Sequence, residues 1–130
     1  SEKDAALAAS ASKNLWGVFC HDCKITDYVD GIDSFSVGGF SFGVMKTPGH
    51  TPGGVCYFID DIMFSGDTLF KECIGRIDLP GGDYREMMDS LSKIALIDKN
   101  YKVYAGHEED TDLFHEFRFN PYLSAFKRSK

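Results

Sequence analysis

Long hydrophobic runs are missing from this sequence of 130 residues. No apolar stretch approaches the roughly 18 residues that a membrane helix requires, so no membrane partner is expected. A positively charged n-region followed by an apolar h-region is missing too, so no secretory leader is visible. Cysteine is scarce: Cys20, Cys23, Cys56 and Cys73 are too few and too scattered to build a disulfide scaffold. They read as reduced thiols, and the expected compartment is the cytoplasm. Positive charge is also short, with 14 Lys+Arg against 20 Asp+Glu and a formal charge of −6. A phosphate-backbone binder needs a clustered positive field, so no nucleic-acid partner is expected. The basic tail Lys127-Arg128-Ser129-Lys130 reads as a solvated chain end.

What is present suits one domain. Apolar residues make up 43% and charged residues 26%, an ordinary globular balance. The length fits a single unit with a real core. The 11 Phe, 6 Tyr and one Trp read as core rather than as a base-stacking platform. Residues 2–10 are Ala-rich, and Glu2 and Asp4 suit a helix N-terminus. Residues 20–33 are polar and turn-like. Phe40, Phe42 and Val44 alternate with Ser41, Gly43 and Met45, which predicts a strand. Pro48, Gly49 and Pro52 end it.

Val55 to Ile59 is apolar on both faces, which predicts a strand covered on both sides. Asp60-Asp61 then turns the chain into a strand over Ile62 to Phe64. A turn-rich loop spans 75–83, and Asp83 with Glu86 makes a capping-box-like helix start. Met87, Leu91, Ile94 and Ala95 follow at helical spacing, with Met88 beside them. Tyr101 to Ala105 is a last strand, ending at Gly106-His107. The order helix, strands, helix, strand, helix signals a layered α/β (α+β) domain.

Three polar residues share one kind of address. His50, Asp67 and His107 each follow a strand, and each has a glycine beside it. Sites in layered α/β domains gather in loops at strand ends. Two imidazoles and a carboxylate are ligand types that zinc or non-haem iron accepts. Each also has a plain structural reading, as a solvated loop histidine or a turn-forming aspartate.

The wording of the motifs adds to this. Thr47-Pro48-Gly49-His50-Thr51-Pro52-Gly53-Gly54, Phe64-Ser65-Gly66-Asp67-Thr68-Leu69-Phe70, Gly75-Arg76-Ile77-Asp78-Leu79-Pro80-Gly81-Gly82-Asp83 and Gly106-His107 resemble, in that order, the metallo-β-lactamase-fold hydrolases. The glyoxalase-II-like branch, whose members hydrolyse hydroxyacylglutathione, is the most similar, and Glu116-Phe117-Arg118-Phe119-Asn120-Pro121-Tyr122-Leu123 fits it as well. The resemblance implies an αββα sandwich, of which this chain supplies mainly the C-terminal sheet and its helices.

It also implies two metal ions, zinc or alternatively iron or manganese. His50 would complete the shell of the first metal, Asp67 would bridge the pair, and His107 would complete the second shell. A metal-bound water would attack a thioester of a small-molecule substrate, so no side-chain nucleophile is expected. Thr51 and Thr68 are expected as neighbours of the ligands or as turn residues. Arg76 and Asp78 are expected to pair and hold their loop.

The family's His-x-His-x-Asp-His motif occurs nowhere in these residues. The expectation is therefore a single partial domain over 1–130, binding metal weakly and inactive alone. A curtailed sandwich would expose an apolar sheet face and self-associate through it. The alternatives are a non-catalytic half-domain that persists by self-association, and an iron-dependent redox relative on the same fold. The acidic run Glu108-Glu109-Asp110-Thr111 reads as a solvated helix start, with Asp110 or Thr111 as the cap. Cys20-His21-Asp22-Cys23 lacks the second pair that a zinc knuckle needs. His115 has no motif partner and reads as a surface or packing residue.

Overall fold

The computed structural model describes residues 31–128 together with Lys3. The helix expected over 2–10 and the Cys20–Cys23 segment lie outside the described residues. Apolar-polar alternation forms β2 (Phe40–Lys46), which pairs antiparallel with β1 (Ser34–Val37). The Asp60-Asp61 turn joins β3 (Val55–Ile59) to β4 (Ile62–Gly66), with Asp60 at φ 51. A small hairpin follows, β5 (Leu69–Phe70) and β6 (Cys73–Ile74). Helix α1 (Tyr84–Ala95) then carries the chain to β7 (Lys102–Ala105), which lies parallel to β4. A parallel neighbour requires such a crossover, because a tight turn can only return the chain antiparallel. β8 (Thr111–Asp112) completes a six-stranded sheet of order β1-β2-β3-β4-β7-β8. Helices α2 (Leu113–Phe119) and α3 (Pro121–Arg128) close the described chain.

The helix ends follow local chemistry. Asp83 caps α1 by accepting from the Glu86 N–H at 2.9 Å. Removing such a cap costs about 1 kcal/mol. Asp112 caps α2 by accepting from the His115 N–H at 2.9 Å. The cap expected at Asp110 or Thr111 is thus corrected to Asp112. Thr111 pairs with Val103 and Asp112 with Lys102, so the backbone stays extended until Leu113. Asn120 separates α2 from α3 with ψ 117, because Pro121 disfavours helical backbone in the residue before it.

One core holds these parts together. Cys56, Met63 and Val103 from β3, β4 and β7 meet Met87, Leu91, Ile94 and Ala95 of α1. Leu69, Leu113 and Leu123 join them from the hairpin and the last two helices. Leu91 is fully buried there, and truncating such a residue to Ala costs roughly 2–5 kcal/mol. On the other face of the sheet, Tyr57, Phe64 and Tyr104 stand side by side across β3, β4 and β7. Phe64 is 40% exposed.

No residue of Val55–Ile59 is exposed: Cys56 is buried and the other four are half-buried. Among the described residues the helices cover one face, burying Cys56, while Tyr57 on the other is half-buried. The described residues thus form the six-stranded sheet, the small hairpin and their helices, a share of the expected sandwich. Among the described residues, no helix is long and apolar enough to cross a membrane.

Candidate metal centre

His50, Asp67 and His107 leave the ends of β2, β4 and β7. The parallel β4–β7 pairing sets two of them side by side, and the Gly106 N–H donates to the Gly66 carbonyl at 2.7 Å. The His50 loop is folded by the Thr47 N–H on the Gly54 carbonyl at 2.8 Å. It is then fastened to α1. The Asp83 N–H donates to the Gly49 carbonyl at 2.8 Å, and Ser90 Oγ donates to the Pro48 carbonyl at 2.6 Å. Two glycines are required by close approach. A Cβ on Gly106 would lie 2.7 Å from Asp67 Oδ1, and one on Gly75 would land on the Asp67 carbonyl oxygen.

Asp67 sits between the two imidazoles. His50 Nε2 is 3.4 Å from Oδ2, and His107 Nε2 is 3.4 Å from Oδ1. Both separations exceed ordinary hydrogen-bond length. Asp67 Oδ1 is buried and has no hydrogen-bond partner. His50 Nδ1 donates to the Arg76 carbonyl at 2.7 Å, since a carbonyl can only accept. In the neutral ring Nε2 is then a bare lone pair aimed at a carboxylate oxygen. Two lone pairs face each other stably only with a cation between them, so the donor set fits a metal. Among the described residues no three His, Cys, Asp or Glu side chains form a group that could hold one ion. Asp67 offers different oxygens to the two histidines.

A cleft of about 310 Å³ opens over this cluster, lined by His50, Thr51, Tyr57, Asp67 and Thr68. Thr51 shapes its wall, its carbonyl accepting from the Gly49 N–H at 3.1 Å. Thr68, next to Asp67 in the chain, is buried, with its Oγ1 3.1 Å from Thr47 Oγ1. Arg76 and Asp78 form a bidentate pair, both contacts 2.9 Å, at the exposed end of their loop. His115 stands elsewhere, bonded to Glu72 Oε1 at 2.9 Å. Glu109 of the acidic run pairs with Lys71 at 2.7 Å.

Tyr57 and Phe70 escaped the sequence reading. Burial holds the Tyr57 phenol above its ordinary pKa, so it faces the cleft neutral at pH 7. Strand alternation from buried Cys56 was the signal available for it. The Phe70 ring lies 6.1 Å from that of His107, a contact made by the hairpin that no periodicity announces. A larger and more open hollow of about 580 Å³ lies at Asp61, Asn100, Lys102 and Asp110–Asp112. It is lined by no histidine, and two of its three acids are engaged: Asp112 caps α2 and Asp61 pairs with Lys99.

Residues 22–107 match the family profile of the metallo-beta-lactamase superfamily. The chain belongs to the metallo-β-lactamase superfamily. A probable metallo-hydrolase of Streptococcus pyogenes serotype M6 is 35% identical over 133 residues, covering 95% of this chain and 57% of the relative. The hydroxyacylglutathione hydrolase GloC of Haemophilus influenzae is 37% identical over 90 residues, covering 67% of this chain and 42% of GloC. Among solved structures, the BLEG-1 B3 metallo-beta-lactamase superposes with a TM-score of 0.79 at 36% identity, covering 88% of this chain and 56% of that one. TTHA1623 in a di-iron-bound form gives a TM-score of 0.72 at 33% identity, covering 93% and 59%. The chain thus spans about half the length of the curated relatives it matches. Membership makes it a metallo-hydrolase-superfamily chain, and the fold implies metal ions.

Proposed function

We propose that this chain carries part of the metal centre of a thioester hydrolase acting on a small glutathione-linked substrate. One observation carries the reading: the buried Asp67 Oδ1 lacks any hydrogen-bond partner while standing between two imidazoles. His50 and Asp67 Oδ2 would hold one ion, and His107 and Asp67 Oδ1 the other. Divalent metal there supplies Lewis-acid activation of water near neutral pH. The chain's own residues do the rest. The Arg76 carbonyl accepts from His50 Nδ1, so that in the neutral ring Nε2 is the nitrogen with the lone pair. The neutral Tyr57 phenol offers a hydrogen-bond donor in the cleft.

The likeness to GloC supports a thioester as substrate, and zinc is proposed, with iron the alternative suggested by the di-iron form of TTHA1623. Residues beyond these 130 supply the remaining ligands, so the chain alone is inactive. The outer sheet face around Phe64 supports self-association. The free thiols of Cys56 and Cys73 suit a reducing cytoplasm.

The test loads the chain with zinc, iron(II) or manganese, each alone, and reads bound metal by elemental analysis. Thioester turnover is then followed in the longest polypeptide that holds both this chain and a His-x-His-x-Asp-His segment. Turnover lost with chelator and in Asp67→Ala supports the proposal. Turnover unaffected by either change overturns it, and oxygen consumption by an iron form replaces it with the redox alternative.

A further inference from the structure

The segment 67–76 begins at Asp67 and ends at Arg76, whose carbonyl orients His50. Between them stands the β5–β6 hairpin, whose Phe70 packs on His107. All three members of the cluster therefore depend on where this hairpin sits. The hairpin is not a strand pair of the main sheet; it forms a two-stranded sheet of its own. Its tip carries the Lys71–Glu109 and Glu72–His115 pairs at the surface, and inside the protein its backbone is held by polar bonds centred on one side chain.

That side chain is Glu116 of α2, which is 0% exposed. Its Oε2 accepts from the Glu72 N–H at 2.8 Å and from Asn120 Nδ2 at 2.8 Å. Its Oε1 accepts from Thr111 Oγ1 at 2.7 Å. The Asn120 amide also donates to the Cys73 carbonyl at 3.0 Å. Glu72 sits at φ 59, a backbone state that its captured N–H helps to fix.

A buried carboxylate is costly unless donors surround it, and an apolar residue would fill the same space at lower cost. The apolar residue would offer nothing to the hairpin N–H. A carboxylate offers acceptors alone, so donors from β8, the hairpin and the α2–α3 junction converge on it. We infer that Glu116 is a positioning residue for the His50–Asp67–His107 cluster, acting through the β5–β6 hairpin. This rests on reading that cluster as a metal centre, yet its primary readout needs no metal.

The experiment compares the 130-residue chain with its Glu116→Ala variant. Long-range ¹H–¹⁵N spectra of the histidine rings report the His50 tautomer, and zinc titration reports affinity. In the folded variant, His50 changes from a fixed Nδ1–H tautomer to a mixture, and zinc binding weakens about 10- to 100-fold. Glu116→Gln restores most of both, because its amide oxygen still accepts from Glu72 and Asn120 while Thr111 Oγ1 turns to accept. An unchanged tautomer in the folded Glu116→Ala chain overturns the inference, even with zinc binding intact in the wild type.

If Glu116→Ala does not fold, Thr111→Val removes one donor of the three. A displacement of the same kind, about 3-fold in zinc affinity, supports the inference, and a wild-type tautomer overturns it. If the wild-type chain ignores zinc while the variant still shows the tautomer change, the positioning role stands and the metal reading falls instead.

Discussion

Two carboxylates, those of Glu116 and Asp67, are treated in opposite ways. Around Glu116, three donors from separate segments close on the two oxygens. Around Asp67, one oxygen is buried with no donor at all, and its neighbours are two imidazoles. The first arrangement is finished by the chain itself. The second is left open, which is why a cation is proposed there. A protein tolerates an unpaired buried oxygen at a cost, so such an oxygen at a strand end marks a site rather than a support.

Changes on either side of this contrast separate the two roles. The largest expected effect is on activity: Asp67→Ala lowers thioester turnover of the complete, metal-loaded protein on the order of 10³-fold. Its melting temperature stays near that of the wild type, because Asp67 Oδ1 holds nothing within the chain. Glu116→Leu shows the reverse profile. It leaves three donors without their acceptor and costs about 3 kcal/mol of stability, read by urea unfolding.

A third effect lies inside the core. Burial pushes the Cys56 thiol up to about 11 from 9.0, against opposing hydrogen bonds from Thr47 and Thr68. The thiol is neutral in both folded and unfolded chains below pH 9, so it contributes no slope there. Above pH 9 the unfolded thiol ionises first, and stability falls as pH rises toward 11, by about 2 kcal/mol in all. Cys56→Ala lacks that part of the slope when denaturation is followed across this range. The smallest effect belongs to the exposed Arg76–Asp78 pair. Asp78→Ala leaves the melting temperature unchanged within error, at low salt and high, because solvent screens such pairs.

Much of this could be read before folding. The alternation in Phe40–Lys46 and the helical spacing of Met87, Leu91, Ile94 and Ala95 gave their elements directly. The glycine-flanked addresses of His50, Asp67 and His107 singled out the same three residues that the strand ends bring together. The two-residue strands β5, β6 and β8 were not legible, since two residues carry no period. Their pairing in turn moved the α2 cap to Asp112. Glu116 was quoted only as part of a motif, and nothing in its neighbours signals that donors from Thr111, Glu72 and Asn120 will meet it.

The family, the layered α/β character and the strand-end addresses of His50, Asp67 and His107 were legible along the chain, because these depend on local spacing and residue chemistry. Only the tertiary structure decided that Asp67 faces two histidines with opposite oxygens, that Arg76 orients His50, and that Glu116 holds the hairpin between them. Those contacts join residues 17 to 44 positions apart. Distance along a chain carries no information about a meeting that a crossover and a shared core bring about.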